Sequence, residues 1–209
     1  MKRSKMTEIL KIKGDWQEVV DACRVTVGKD SLGKEPSKLF KIKVLIAEHS
    51  PIRCITIKWI WKGIMSYVAT HWSRHKWECY IKTQRSDRIG HDTNKNTREE
   101  PVNFVGEANP QHLIDSFRKR LCCQADDNTR GSAEEFKEEL RPIQEEISDV
   151  LVPNCVYRCG CPEMEKCPRN LWPTFLAWAK QNHAVDVQKL SITGRYLLYN
   201  EFFYNEWRK

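Results

Sequence analysis

Apolar and polar positions alternate along one stretch of the chain with the period of a β-strand. Apolar side chains at positions 55, 57, 59 and 61 alternate with Thr56 and Lys58, which predicts a strand with one buried face. Gly63 is predicted to end this strand. A second short strand is predicted for residues 6 to 14, ending at Gly14.

Helical spacing and capping residues predict helices around these strands. Asp15 and Ser37 are good N-caps for the segments that follow them, and Asn109-Pro110 is a typical helix start. Apolar residues at 113, 117 and 121 then form a core-facing stripe. The predicted helices cover residues 16–27, the segment from Ser37 to before Pro51, residues 64–73, a helix from Pro110 interrupted at Gly131, and residues 133–150 with a break at Pro142.

Three kinds of segment separate or follow these elements. Residues 28–36 are predicted to form a short loop, and the polar residues 86–109 a long loop of the kind that often serves as a functional lid. Residues 153–170 are rich in proline and cysteine and are predicted to be irregular. The aromatic-rich segments 171–183 and 190–207 are expected to complete the core or a subunit contact.

Composition narrows the class of protein and of partner. The 209 residues carry 35 Lys and Arg against 28 Asp and Glu, a net charge of +7, which favours anionic partners. The chain lacks a run of about 18 apolar residues, as a membrane span would need, and its polar start does not suit a signal peptide. We therefore expect a cytoplasmic protein without a membrane partner, in which the nine cysteines are buried thiols or metal ligands rather than disulfides.

The stretch from His71 to Arg88 combines positive charge with aromatic rings. Six basic or titratable side chains fall within its last fifteen residues, interleaved with Trp77 and Tyr80. Guanidinium groups bind phosphate in pairs of hydrogen bonds and rings stack on rings, so the mixture favours a nucleotide or a flavin dinucleotide. Rossmann and P-loop glycine motifs are missing from the sequence, so such a ligand would bind without either cradle.

Three sequence blocks occur in a fixed order around this stretch. They are Val19-Val-Asp-Ala-Cys-Arg24 with Glu48-His-Ser-Pro-Ile-Arg53, then Arg74-His-Lys76 with Thr83-Gln-Arg85, then Arg120-Leu-Cys-Cys-Gln-Ala-Asp-Asp-Asn-Thr-Arg130. Together, over about residues 15 to 155, they resemble the flavin-dependent thymidylate synthases, also called thymidylate synthase-complementing proteins. The signature of that family is an R-H-R triplet, seven intervening residues and a serine.

The resemblance implies a fold, an assembly and a reaction. It implies an α+β fold with a mixed or antiparallel sheet flanked by helices, long helices in the second half, and a homotetramer. It also implies a methyltransferase that binds FAD at subunit interfaces and converts dUMP to dTMP, with methylenetetrahydrofolate and NADPH as co-substrates. We expect this domain over residues 1–152, with the Cys-rich segment and aromatic extension of residues 153–209 packed on it.

The resemblance also assigns residues to the site. The expected FAD contacts are Arg74, His75, Lys76 and Ser50. The expected contacts to the deoxynucleotide are Thr83, Gln84, Arg85, Arg120, Gln124 and Arg130, of which Arg85 and Arg130 are the candidate catalytic residues.

Several positions depart from the family pattern and leave alternatives open. Lys76 keeps the charge of the third triplet position but loses the guanidinium fork, and six residues rather than seven precede Thr83, which replaces serine. Arg53 stands where the family has glutamate, and Asp126 and Asn128 replace residues of the third block. These changes suggest a divergent, phage-like branch. A pyrimidine hydroxymethylase, a degenerate member with a structural role, or a nucleic-acid-binding protein are the rival interpretations, and the blocks in register favour the nucleotide-flavin pocket over nucleic acid.

Four cysteines, Cys155, Cys159, Cys161 and Cys167, fall within thirteen residues. Four thiolates can bind Zn²⁺ tetrahedrally and would order a loop that has no core of its own. Partly buried free thiols are the alternative, because the C-x-C pair does not suit one tetrahedral ion. The neighbouring pair Cys122-Cys123 is not expected to form a disulfide, and one of its thiols is expected to face the core.

Overall fold

A computed structural model describes residues 5–31, 33–90 and 92–208. Its sheet has four antiparallel strands in the spatial order β1-β2-β4-β3. The strands are β1 (Thr7–Lys13), β2 (Thr56–Met65), β3 (Glu78–Ile81) and β4 (Pro101–Ala108). Helices accompany the sheet, so the predicted α+β class with an antiparallel sheet is confirmed.

Helices make up most of the second half of the chain. They are α1 (Trp16–Val25), α2 (Lys38–Ile46), α3 (Ser66–Ser73), α4 (Ser86–Ile89), α5 (Pro110–Arg120), α6 (Asp127–Leu140), α7 (Glu145–Val150), α8 (Asn154–Tyr157), α9 (Leu171–His183) and α10 (Ile192–Phe202). The three predicted N-caps are confirmed, because the side chains of Asp15, Ser37 and Asn109 each accept a hydrogen bond from a backbone N–H of the first helical turn. None of the described helices is long and apolar enough to cross a membrane.

The long loop predicted for residues 86–109 is wrong at both ends. The segment begins with the short helix α4 and ends in β4, which lies in the interior of the sheet between β2 and β3. Val102, Phe104 and Ala108 of β4 are buried and alternate with more exposed positions. The polar residues around this strand concealed its period-two pattern. The strand β3 was also not predicted, although it carries part of the basic stretch.

Two glycines do not act as predicted. Strand β2 continues past Gly63 to Met65, and α3 begins at Ser66, because Gly63 sits in a bulge with a φ of 66° and donates its N–H to Asn103 Oδ1. Gly131 lies inside α6 rather than between helices. The helix from Pro110 already ends at Arg120, whereas the predicted break at Pro142 is confirmed by the gap between α6 and α7.

The inner face of the sheet and the helices that cover it form an aromatic core. Trp61 packs on Trp72 of α3 with ring centroids 4.7 Å apart, and Phe117 of α5 packs on Phe136 of α6 at 5.0 Å. Gly106 is required beneath Trp59, since a Cβ there would lie 2.3 Å from the indole ring. Large buried rings of this kind dominate core energetics, and they fix the ends of α3 and α5 against the sheet.

The aromatic C-terminal segments belong to the same hydrophobic cluster as the sheet. Phe175 of α9 packs against Tyr199 and Phe202 of α10, with centroid distances of 5.6 and 5.4 Å. The opposite face of the sheet is more exposed. There Ile60, Val105 and Tyr80 lie side by side on neighbouring strands, and Tyr80 is 63% exposed.

Candidate functional site

A groove of about 480 Å³ opens where the end of α3 meets α5 and α8. Its volume is within the range of about 300–1,000 Å³ that is typical of small-molecule sites. The groove is lined by Arg74, His75, Lys76, His112, Asp115, Ser116, Arg118, Lys119, Asn154, Tyr157 and Arg158. The basic triplet of the sequence therefore faces a concave surface.

Helix α5 supplies one wall of the groove because of its periodicity. Leu113 and Phe117 point into the core and are fully buried, which leaves positions 112, 115, 116 and 119 on the neighbouring face of the helix. Asn109 caps this helix by accepting from the backbone N–H of His112. The groove wall is thus held by the same packing that holds the core.

His75 is tied to Arg120 beneath the groove. Arg120 Nε donates to His75 Nε2 at 2.9 Å, and Arg120 Nη2 donates to the carbonyl oxygen of His71 at 2.7 Å. Burial, together with the charges of Arg120 and Lys119, lowers the pKa of His75 to about 4. His75 is therefore a neutral imidazole near pH 7, and its Nδ1 carries the proton because Nε2 is the acceptor.

The groove has an excess of unpaired positive charge. Arg74, Lys76, Lys119 and Arg158 form no ion pair with any residue that the structure describes, and Asp115 is the single acid among the described lining residues. Arg74 is close enough to Arg120 to lower the pKa of Arg120, after the larger effect of burial. Unpaired cations that repel one another in a groove would be stabilised by a bound anion.

Arg118 is a structural cation of the groove wall. Its Nη2 donates to Glu48, whose other carboxylate oxygen accepts from Gln111 Nε2 at 2.6 Å. The guanidinium also lies 3.6 Å from the centre of the Tyr157 ring, a cation–π contact that joins α5 to α8. Arg118 is already paired, so a ligand would meet it as a fixed part of the wall.

The residues that were predicted to bind the nucleotide lie in separate parts of the structure. Thr83, Gln84 and Arg85 lie on an exposed segment between β3 and α4, where Arg85 pairs with Asp87 at 2.6 Å. Gln84 Nε2 donates to Ser66 Oγ at the start of α3. Arg74 follows the end of this eight-residue helix, about 12 Å away at 1.5 Å per residue. Ser50 is exposed in the 3₁₀ turn Ser50–Cys54.

Arg130 is buried inside the chain. It is 5% exposed and pairs with Asp127 at 2.5 Å and with Glu134 at 3.4 Å. Its Nε and Nη1 atoms have no hydrogen-bond partner among the described residues, so part of the guanidinium is unsatisfied. Neither Arg85 nor Arg130 is among the described residues that line the groove. A single chain therefore does not bring Arg74, Arg85 and Arg130 together there.

The groove also contains residues that the sequence patterns did not single out. Lys119 and His112 could have been found from the helical period, since they lie on the face of α5 next to the apolar stripe. Tyr157 and Arg158 could not, because tertiary packing alone places α8 beside α5. Predicted residue Gln124 lies elsewhere, where its Nε2 donates to the carbonyl oxygens of Glu165 and Lys166.

The predicted metal ligands lie only partly together. Cys155, Cys161 and Cys167 line a second cavity, which also contains Cys122 and Cys123, whereas Cys159 is not among the described residues that line it. Over residues 5–31, 33–90 and 92–208, no group of three or more His, Cys, Asp or Glu side chains has the arrangement of a bound metal. All nine cysteines are free thiols, and Cys123 faces the core as predicted.

Comparison with known proteins gives a fold but no sequence family. No protein-family model matches the chain, and no curated protein matches it. Among solved structures, the fold is similar to the crystal structure of a UMP/dUMP methylase, PolB from Streptomyces cacaoi, bound with 5-Br dUMP. The TM-score is 0.57 and the sequence identity is 10%, over 69% of this chain and 93% of that chain.

Proposed function

We propose that this protein is a flavin-dependent enzyme that methylates a deoxyuridine nucleotide, converting dUMP to dTMP. The observation that carries the proposal is the groove at the end of α3, which is lined by the neutral His75 and by four cations that form no ion pair with the described residues. The similarity in fold to a UMP/dUMP methylase supports the substrate class. The three sequence blocks support the choice of FAD as the cofactor.

The residues of the groove fit the anionic part of FAD. Arg74 and Arg158 offer guanidinium forks and Lys76 and Lys119 offer ammonium groups, which are the donors that bind a pyrophosphate most strongly. His75 would present its Nδ1–H as a neutral donor. When bound, FAD supplies the hydride chemistry of the reaction, with NADPH as reductant and methylenetetrahydrofolate as the source of the carbon.

The dUMP contacts would come from the other two blocks. Thr83, Gln84 and Arg85 lie on an exposed segment that suits contact with the phosphate and sugar. Arg130 Nη1 has no hydrogen-bond or ion-pair partner among the described residues, and Nη2 would also become available to the pyrimidine if Asp127, which is 82% exposed, turned toward solvent. A buried donor without a partner is costly, so a nucleotide that satisfies Arg130 would be bound favourably.

A homotetramer would bring these separated residues together. Arg74 and Arg85 lie near opposite ends of α3 in one chain, so a site that uses both is best completed by a second copy. The row of half-buried Ile60 and Val105 and exposed Tyr80 on the outer face of the sheet is a surface through which copies could associate.

The first test of the function is turnover. The purified protein, supplied with FAD, is expected to form dTMP from dUMP and methylenetetrahydrofolate while it consumes NADPH. Arg85→Ala should raise the dUMP concentration needed for half-maximal rate by at least about tenfold, because a charged hydrogen bond is worth about 1.5–3 kcal/mol. Lys43→Ala, an exposed cation on α2 outside the groove, is the matched control. Formation of hydroxymethyl-dUMP without NADPH consumption would contradict methylation, and absence of any nucleotide product would contradict the function.

The second test addresses the assembly. If Arg74 of one copy and Arg85 of another serve the same site, the variants Arg74→Ala and Arg85→Ala are each strongly impaired alone when dUMP is far below the concentration needed for half-maximal rate. Random mixing during co-expression then restores about a quarter of the wild-type activity, because a quarter of the sites receive both intact residues. Activity no higher than that of the separate variants would contradict a shared site without contradicting the methylase reaction.

A further inference from the structure

The start of α3 meets the start of α6 beside a cavity, at the opposite end of α3 from the basic groove. The cavity has a volume of about 770 Å³, within the range of a small-molecule site. Met65, Val68, Asn128 and Gly131 form part of its wall. Met65 ends β2, Val68 lies on α3, and the other two residues lie on α6. A strand and two helices thus bound a space that is large enough for a pyrimidine.

Gly131 leaves part of this space open. It lies inside α6, where glycine is less favourable than alanine. Outside the backbone of its own helix, no atom of the described residues would lie within 4 Å of a Cβ at this position, so packing within the chain does not require glycine here. A larger side chain would extend into the cavity, because Gly131 lines it. The glycine therefore fits a helix that keeps room for a ligand.

The side-chain amide of Asn128 has a fixed orientation at this cavity. Its Nδ2 lies 2.7 Å from Tyr67 Oη and 3.6 Å from Met65 Sδ. A thioether sulfur accepts hydrogen bonds but cannot donate one, so the nitrogen of the amide and not the oxygen faces Met65. Tyr67 Oη consequently accepts from Asn128 and keeps its own hydrogen to donate. Within the part of the chain that the structure describes, Asn128 Oδ1 accepts no hydrogen bond and the Tyr67 O–H has no acceptor.

A helix cap and a histidine hold this pair in place. Asp126 caps α6 by accepting from the backbone N–H groups of Asn128 and Thr129, both at 3.1 Å. Thr129 Oγ1 donates to Asp126 at 3.3 Å, so its oxygen accepts from His71 Nδ1 at 2.8 Å. The His71 ring packs edge to face on Tyr67, with centroids 5.6 Å apart. Both side chains are therefore positioned by contacts within the chain, which lowers the cost of binding a ligand.

The residues proposed to bind dUMP lie beside this pair. Ser66 directly precedes Tyr67, and its Oγ accepts from Gln84 Nε2 at 2.9 Å. Asp127, which lines the cavity, pairs with Arg130. The segment proposed for the phosphate and the arginine proposed for the pyrimidine thus approach the same cavity from two sides.

A free donor next to a free acceptor matches one edge of uracil. Uracil presents N3–H between two carbonyl oxygens, so Asn128 Oδ1 can accept from N3–H while the Tyr67 O–H donates to a neighbouring carbonyl. Cytosine presents an unprotonated N3 instead, so two acceptors would face each other at Asn128. A polar group that is desolvated without a partner is costly, and a site of this kind discriminates strongly between such bases.

We propose that Asn128 and Tyr67 bind the imide edge of uracil and thereby select a uracil nucleotide over a cytosine nucleotide. The inference rests on the proposed function, because it takes the ligand of this site to be dUMP. Methylation at C5 leaves the imide edge unchanged, so dTMP is expected to bind the same two side chains.

The experiment measures the affinity of the full chain for dUMP and for dCMP in the presence of FAD, by isothermal titration calorimetry. The wild type is expected to bind dUMP at least about tenfold more tightly than dCMP. Tyr67→Phe removes only the hydroxyl donor and should weaken dUMP binding about tenfold. Asn128→Asp should bring the two affinities close together, because a carboxylate takes the Tyr67 hydrogen bond from uracil and attracts the amino group of cytosine. A carboxylate in the first turn of α6 is favourable, so this variant should stay folded.

Asn182→Asp is the matched control, because this exposed amide on α9 is not among the described residues that line the cavity. It should keep the wild-type preference for dUMP. If the wild type prefers dUMP and Asn128→Asp keeps that preference, the inference is overturned while the proposed function stands. Equal binding of dUMP and dCMP by the wild type has the same meaning. A wild type that binds neither nucleotide contradicts the inference and the proposed function together.

Discussion

The basic groove and the cavity lined by Cys122, Cys123, Cys155, Cys161 and Cys167 lie next to the same two helices, α5 and α8, but differ in the side chains that line them. Lys119 near the end of α5 faces the groove, whereas Cys122 and Cys123 just beyond it face the cavity. On α8, Asn154 and Tyr157 line the groove while Cys155 lines the cavity. The groove is basic and is bounded by regular helices, whereas the cavity is lined by five cysteines and is closed by an irregular loop.

This difference indicates which of the two walls is held more firmly. The groove residues are held by α3 and α5, whose inner faces are in the aromatic core, so the groove has its shape without a ligand. The cavity is closed by residues 158–170, which contain no helix or strand. We therefore expect this loop to open at a lower free energy than the helices that bound the groove.

The largest expected effect is on the wall that both sites share. Phe117→Ala removes a fully buried ring that contacts Trp72 and Phe136, and it should lower the free energy of unfolding by about 3–5 kcal/mol. Denaturant unfolding measures this change. Lys119→Ala on the same helix is the control and should change stability by about 0.5 kcal/mol or less. A Phe117→Ala protein with unchanged stability would contradict the shared wall.

Loss of Arg120 should lower the stability of the chain and change the pKa of His75. Arg120→Gln removes two hydrogen bonds, to His75 and to the carbonyl of His71, and should cost about 2 kcal/mol of stability. The pKa of His75 should rise in this variant, because the charge of Arg120 lowers it in the wild type, although burial is the larger cause. Nuclear magnetic resonance titration of the His75 ring measures the pKa. An unchanged value would show that Arg120 does not act on His75.

The smallest expected effect is the pH dependence that His75 imposes. Its pKa is lowered from 6.5 to about 4 in the folded chain, so the unfolded chain binds a proton more readily as the pH falls. The stability that His75 contributes is thus complete above pH 6.5 and is lost as the pH falls toward 4. The partial exposure of the ring limits the loss to about 1 kcal/mol. His75→Gln should remove this part of the pH dependence, and an identical pH profile in both proteins would refute it.

The sequence predicted elements where local signals and tertiary packing agree. The caps at Asp15, Ser37 and Asn109 and the apolar stripe of α5 depend on residues within one or two turns, and the structure confirms them. Strand β4 was missed because its pairing with β2 and β3 is non-local and its sequence is mostly polar around it. Gly131 was misread as a break because the capping of α6 by Asp126 outweighs the cost of one glycine.

The candidate site was predictable only where its residues are consecutive in sequence or share one face of a helix. The triplet Arg74, His75 and Lys76 follows one helix and does face a groove. Arg158 reaches the same groove from far along the chain, so no spacing in the sequence could reveal it. The cysteine motif likewise included Cys159 and omitted Cys122, because sequence proximity is a poor guide to which thiols meet across three segments.

The most direct test of the central claim is a fluorescence titration of FAD with the wild type and with the double variant Arg74→Ala/Lys76→Ala. The wild type is expected to bind FAD with a change in flavin fluorescence. The double variant should bind at least about 100-fold more weakly, since two charged hydrogen bonds to phosphate are lost at about 1.5–3 kcal/mol each. Lys43→Ala should bind as the wild type does. Equal affinity in the wild type and the double variant, or no binding by the wild type, would contradict the claim that this groove holds the flavin cofactor.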